Sequence, residues 1–161
     1  MKISFVMLFV SAILLAGCEN TPVDVWDEHE TLLDRNRARW EMNGADSYKY
    51  RVSKFCYECR ATGVGEAVVT VKCSKITNVH SIERDQSLHE QYWRDFDTMD
   101  QLFNLIEVYL KNPPQVFEVH YNNRLGYPEY IEIDHGYNPD AEVHIVDAGV
   151  RVEITEVVLL Q

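Results

Sequence analysis

Positive charge is in short supply in this 161-residue chain: 15 Lys and Arg stand against 26 Asp and Glu, a formal net charge of −11. That balance argues against nucleic-acid binding, because phosphates demand a basic patch, and against strong adhesion of the protein surface to anionic lipid headgroups. Catalytic signatures are missing as well. The sequence contains no Gly-x-Ser-x-Gly, no His-Glu-x-x-His, no P-loop and no paired-glycine dinucleotide motif, so the common signals of hydrolases, zinc proteases and nucleotide enzymes are gone. No enzyme activity and no cofactor is expected. Neither a Gly/Ser-rich linker nor an obvious repeat divides the chain, which points to one folded domain. Hydrophobic residues make up 46%, with nine Tyr and three Trp, so disorder is expected only in a short tether.

The longest apolar stretch lies at the start. Lys2 precedes Phe5-Val6-Met7-Leu8-Phe9-Val10 and Ala12-Ile13-Leu14-Leu15, and Ala16-Gly17-Cys18 comes next. This is the n-region, h-region and small-residue cleavage site of a secretory peptide, too short for a membrane span of ~20 apolar residues. Leu15-Ala16-Gly17-Cys18 reads as a bacterial lipoprotein signal, so residues 1–17 are expected to be removed and Cys18 acylated on its thiol and its amine. Loss of Lys2 leaves 14 Lys and Arg against 26 Asp and Glu, a balance of −12. The acyl chains must therefore supply the membrane attachment. Residues 18–24 read as a tether and residues 25–161 as a single domain. Glu19 after the lipidated cysteine, where Asp would retain the protein at the inner membrane, points to the periplasmic face of the outer membrane if the envelope has two membranes.

Within the domain, Trp26, Leu33 and Trp40 recur seven residues apart, which predicts an amphipathic helix from Val25 to Asn43. Asp24 is a candidate cap, Asp27 and Glu28 suit the first turn, and Gly44 is a plausible stop. The period then changes to two. Tyr48, Tyr50 and Val52 alternate with Lys49, Arg51 and Ser53, Ala67 to Val71 form a second strand and Ile76 to Ile82 a third, together an antiparallel meander. Thr98 and Gln101 have capping-box spacing ahead of Met99, Leu102, Phe103, Ile106 and Leu110, and Asn112-Pro113-Pro114 ends that second helix. Phe117 to Tyr121, a turn over residues 122–126, Tyr130 to Asp134, Glu142 to Val146 and Val150 to Val158 complete the strands. The fold class is α+β: an antiparallel β-sheet with two α-helices packed on one face, in the order helix, strands, helix, strands.

Several segments together resemble a family of uncharacterised bacterial envelope lipoproteins, domain of unknown function 6174. They are Asn36-Arg37-Ala38-Arg39-Trp40-Glu41, Ser47-Tyr48-Lys49-Tyr50-Arg51-Val52, the Cys56/Cys59 pair, Thr98-Met99-Asp100-Gln101-Leu102-Phe103, Val119-His120-Tyr121 leading into Gly126-Tyr127-Pro128, and Ile131-Glu132-Ile133-Asp134. The resemblance implies a small secreted, lipid-anchored domain and assigns no activity. Two features depart from the pattern. The family usually sets its cysteines one residue apart, whereas Tyr57 and Glu58 separate them here; the turn after Val71 usually holds an Asp-Gly type pair, and here it is Cys73-Ser74.

Cys56-Tyr57-Glu58-Cys59 admits two readings. A thioredoxin-like thiolate needs a helix N-terminus to lower its pKa, but Gly63-Val64-Gly65 and a Val-rich strand succeed this pair. A structural disulfide at a hairpin tip suits an oxidising compartment better. Placing residues 56 and 66 opposite each other puts Cys73 opposite Lys49, roughly 20 Å from Cys56 at ~3.4 Å per residue and out of bridging range. Cys73 is then an unpaired turn cysteine or an intermolecular partner. A zinc site would need a second closely spaced pair beside Cys56 and Cys59; the other metal alternative combines His120, His135 and His144 with Asp134, Asp140 or Glu142, and solvent-facing strand histidines are the more frequent case. Asp95 and Asp97 read as a solvated approach to the second helix rather than an acid/base couple. Gly126-Tyr127-Pro128 is either a hairpin corner with Tyr127 packed on the sheet or a recognition corner displaying Tyr127, Tyr130 and Tyr137; an aromatic before Pro modestly favours a cis bond. The expected function is a non-enzymatic binding or accessory module. Its partners are the membrane, through Cys18, and an envelope protein, peptide or wall component; the alternative is a thiol-redox or metal-handling protein.

Overall fold

A computed structural model describes residues 25–56, 65–134 and 149–160. The chain runs α1 (Val25–Asn43), β1 (Tyr48–Cys56), β2 (Glu66–Lys72), β3 (Lys75–Ser81), β4 (Gln86–Ser87), a 3-10 helix (Glu90–Asp95), α2 (Met99–Lys111), β5 (Val116–Tyr121), β6 (Pro128–Asp134) and β7 (Val150–Leu159). This is an α+β fold with one seven-stranded sheet in the order β4-β3-β2-β1-β7-β6-β5. All its pairings are antiparallel. The 3-10 helix and the two-residue β4 add to the expected helix, strands, helix, strands order. Two meanders, β1 to β4 and β5 to β7, become one sheet because the last strand lies beside the first. The leader, the tether with Asp24, and the expected strand 142–146 lie outside the described residues.

The alternation of β1 builds the core. Tyr48, Tyr50 and Val52 are buried, and their partners Val71, Val69 and Ala67 on β2 and Val157 and Ile154 on β7 extend the same apolar row. The Trp40 ring meets Tyr48 edge-on at 5.2 Å, while the Tyr48 hydroxyl accepts the Met99 N–H at 2.7 Å. The Tyr50 hydroxyl donates to the Asp97 carbonyl, and Lys54 Nζ reaches Asp97 Oδ2 at 2.6 Å. Three side chains from one face of β1 thus hold the start of α2. Burial pushes the ionisation of both tyrosines well above the ordinary value of 10.0, since the charged form would lose its water. Thr98 and Gln101 close the capping box there, each accepting the other's backbone N–H.

The register of the first hairpin corrects the expected one. Ser53, not Cys56, faces Glu66, and Tyr48 faces Val71. Cys73 consequently sits beyond the end of β1 rather than opposite Lys49: its N–H donates to Ser47 Oγ at 3.1 Å, and the Ser74 N–H to the Asp46 carbonyl at 2.8 Å. The reason is that β1 outruns β2 and pairs with β7 as far as Cys56 opposite Val150. Cys73 and Ser74 form the two-residue turn with φ of 47° and 59°, the double left-handed geometry that hairpin twist selects and that Asn-Gly or Asp-Gly supplies with least strain.

Candidate functional site

Gly126-Tyr127-Pro128 packs inward. Tyr127 is 5% exposed and meets Trp40 edge-on, Leu125 and Pro128 are buried, and the Tyr127–Pro128 bond is trans. The turn is built by Asn122, whose Oδ1 accepts the N–H groups of Arg124 and Leu125, and whose own N–H donates to the Tyr127 carbonyl. Gly126 has φ +87°, and a Cβ there would lie 2.3 Å from the Asn36 carbonyl oxygen and 2.9 Å from Arg39 Cβ. Arg39 also donates to the Asn123 carbonyl at 3.1 Å, and buried Asn36 donates to the Leu32 carbonyl. The corner is therefore the seat of α1. A display of Tyr127 to a partner is corrected by this burial; Tyr130 points to the other side of the sheet, its hydroxyl on Glu132, and Tyr137 lies outside the described residues.

The remaining sequence candidates are dispersed. Cys18 and Cys59 lie outside the described residues, and Cys56 is placed by its backbone at the end of β1. Cys73 is an exposed free thiol. Using the observed register, it lies roughly ten residues along the sheet from Cys56, about 30 Å at ~3.4 Å per residue, so a bridge between them is out of reach. His120 on β5 sits 3.0 Å from Glu118, and His135, Asp140, Glu142 and His144 are outside the described residues. Among the described residues no group of three His, Cys, Asp or Glu side chains is placed to hold a metal. Asp97 is occupied by Lys54.

Sequence reasoning missed a depression of about 550 Å³ between the β2–β3 turn and the approach to α2. Its wall is Ser74, Lys75 and Ile76 on one side, Trp93, Arg94 and Phe96 on the other, with Asp100 and Gln101 at the start of α2. Two smaller hollows, about 160 and 230 Å³, lie at the β6–β7 end and between the helices. The Trp93 indole donates to the Leu88 carbonyl at 3.0 Å, which fixes its plane, and Phe96 is buried beneath. Lys75 and Arg94 are exposed, and neither forms an ion pair among the described residues. Five cations elsewhere are committed, Arg37 to Glu107, Arg51 to Glu66 and Glu156, Lys54 to Asp97, Lys111 to Glu107 and Arg151 to Glu132, whereas Arg35, Lys49, Lys72 and Arg124 form no ion pair among the described residues; what sets Lys75 and Arg94 apart is their place on one depression. Hydrogen bonds from Lys111 and Arg37 hold the Glu107 carboxyl below its ordinary value, and those from Arg151 and Tyr130 do the same for Glu132. Two uncommitted cations flanking an oriented indole can bind an anionic group and an adjacent apolar one. Lys75 and Arg94 are nineteen positions apart with no shared motif, so only the folded β2–β3 turn brings them together.

No described helix is long and apolar enough to cross a membrane. The profile of a family described as "Family of unknown function (DUF6174)" matches residues 32–155. No curated protein matches the chain.

Proposed function

This chain belongs to the DUF6174 family of unknown function, and from its own residues we propose a lipid-anchored bacterial envelope lipoprotein that acts as a non-enzymatic binding module. The observation that carries the binding part is the depression flanked by Lys75 and Arg94, two uncommitted cations beside Trp93 in a chain of net charge −11. An acidic peptide segment with an apolar neighbour fits it: carboxylates pair with the cations while the apolar side chain lies against the indole and Ile76. In this reading both helices cover one sheet face, and Lys49, Arg51, Glu132 and Arg151 occupy the other.

The anchoring part rests on Leu15-Ala16-Gly17-Cys18. Acylated Cys18 holds an acidic domain beside a membrane that its surface does not favour, with Glu19 directing it to the outer membrane of a two-membrane envelope and Cys56–Cys59 bridged as a loop staple. Radiolabelled palmitate tests the anchor: incorporation into the wild type and none into Cys18→Ser is expected, and equal labelling of both overturns it. For the binding part, a photo-crosslinking residue in place of Ser74, on the wall of the depression, should give an adduct in intact membranes that Lys75→Glu or Arg94→Glu abolishes. An adduct indifferent to Arg94 would remove the depression from the proposal.

A further inference from the structure

The two edges of the sheet are treated differently. At one, β4 is only two residues long, and the succeeding 3-10 helix packs against β3, which are ordinary ways of blunting an edge. At the other, β5 offers six residues, Val116–Tyr121, with no Pro, Gly or Lys, and among the described residues no strand pairs on its outer side. We infer that β5 is a self-association edge, through which two copies of this chain join their sheets antiparallel about a twofold axis at Val119.

The hydrogen-bond phase fixes which groups face outward. The Asn122 N–H points to β6, where it meets the Tyr127 carbonyl. The pairing slips between His120 and Tyr121, but the extra residue there is Glu129 on β6 and the alternation of β5 itself is unbroken; peptide groups therefore keep alternating along β5, so those of His120, Glu118 and Val116 also face β6, and those of Tyr121, Val119 and Phe117 face the open edge. A twofold at Val119 makes Val119 a hydrogen-bonded pair with its own copy and Phe117 a hydrogen-bonded pair with Tyr121 of the second copy. The whole strand is used.

Side chains select this register over its neighbours. On the outward face it sets Glu118 against His120 of the second copy, twice, extending the 3.0 Å Glu118–His120 contact already present in each chain. A twofold at Glu118 would oppose Glu118 to itself, which is destabilising, and one at Phe117 would set Pro113, which has no N–H to donate, opposite the edge-facing Tyr121. On the helix side, Phe117, Val119 and Tyr121 are only half-buried. Phe117 lies edge-on to Trp26 and His29 at 5.6 and 5.1 Å, and Tyr121 stacks on Phe103. Pairing Phe117 with Tyr121 of the second copy removes apolar surface from water that one chain leaves exposed.

The test is sedimentation equilibrium of the full acylated chain in density-matched detergent, with Val119→Pro as the main variant. The Val119 N–H faces the edge, so proline there costs no bond to β6 and suits an edge strand. Two polypeptides per complex in the wild type and one in Val119→Pro, with the same far-ultraviolet circular dichroism, is the expected result. Should Val119→Pro misfold, charge exchange decides: Glu118→Lys should weaken the dimer roughly tenfold, and Glu118→Lys with His120→Glu should restore it. A wild type that holds one polypeptide at every concentration overturns the inference, as does an unweakened folded Val119→Pro dimer or a double variant no tighter than Glu118→Lys.

Discussion

Replacing Gly126 by Ala tests the claim that the 122–128 turn is the seat of α1. The residue has φ +87°, and an added Cβ would stand 2.3 Å from the Asn36 carbonyl oxygen, 2.9 Å from Arg39 Cβ and 3.1 Å from the Trp40 nitrogen. Two of those three atoms are helix backbone, which cannot swing aside as a flexible side chain would. Left-handed backbone costs an Ala about 1–2 kcal/mol, and forcing the turn off the helix adds an overpacking penalty of about 1–3 kcal/mol. A loss of about 2–5 kcal/mol is expected, a large share of the ~5–15 kcal/mol by which a domain is stable. At roughly 3–4 °C per kcal/mol for a domain of this size, Tm falls by roughly 6–20 °C. Urea unfolding followed by tryptophan fluorescence reads the free energy, and near-ultraviolet circular dichroism reports the Trp40–Tyr127 contact. A change below about 0.5 kcal/mol would refute the close approach.

Tyr50→Phe strands the Asp97 carbonyl and Tyr48→Phe the Met99 N–H, so each should cost about 1–3 kcal/mol by the penalty for an unmet buried group; urea midpoints near wild type would contradict the tie between β1 and α2. Both tyrosines have raised ionisation in the folded state, so their stabilising contribution is whole below pH ~10, where the unfolded phenols are also neutral, and is lost as pH rises above it. Absorbance at 295 nm during alkaline titration should show them ionising only together with unfolding. Cys73→Asn with Ser74→Gly should stabilise by about 1–2 kcal/mol, because Cys73 and Ser74 now hold the left-handed turn; no gain in thermal melting would refute the strain. Thiol titration of unreduced, acylated protein should find one free thiol, Cys73, and a count of none would refute the Cys56–Cys59 pairing in a monomer.

What the sequence revealed followed locality. Helix α1 was legible at both ends because Trp26, Leu33 and Trp40 keep one face for its full length, and α2 because Thr98 and Gln101 write its first turn. The place of β7 beside β1 was not, since no residue in Val150–Leu159 specifies a partner a hundred positions earlier. The Cys56 register failed for a related reason: β1 continues past β2 to pair with β7, and nothing in its own residues signals that second partner. Tyr127 was ambiguous because an aromatic with a hydroxyl suits either a core or a surface, and only contact with Trp40 decides. The 3-10 helix over Glu90–Asp95 is too short for periodicity to mark, so the depression it walls stayed hidden. Two of the segments that carry the resemblance build the fold: Asn36 to Trp40 dock on the corner, and Tyr48 and Tyr50 hold α2.

The proposed function stands or falls with an acidic segment held between Lys75 and Arg94. Photo-crosslinking from position 74 in native membranes, with position 49 on the sheet's other face as control and the adduct mapped by mass spectrometry, tests it most directly. An adduct specific to position 74, carrying Asp or Glu beside the crosslink and lost in Arg94→Glu, is the predicted result. The same adducts from both positions, or none from position 74, would contradict it.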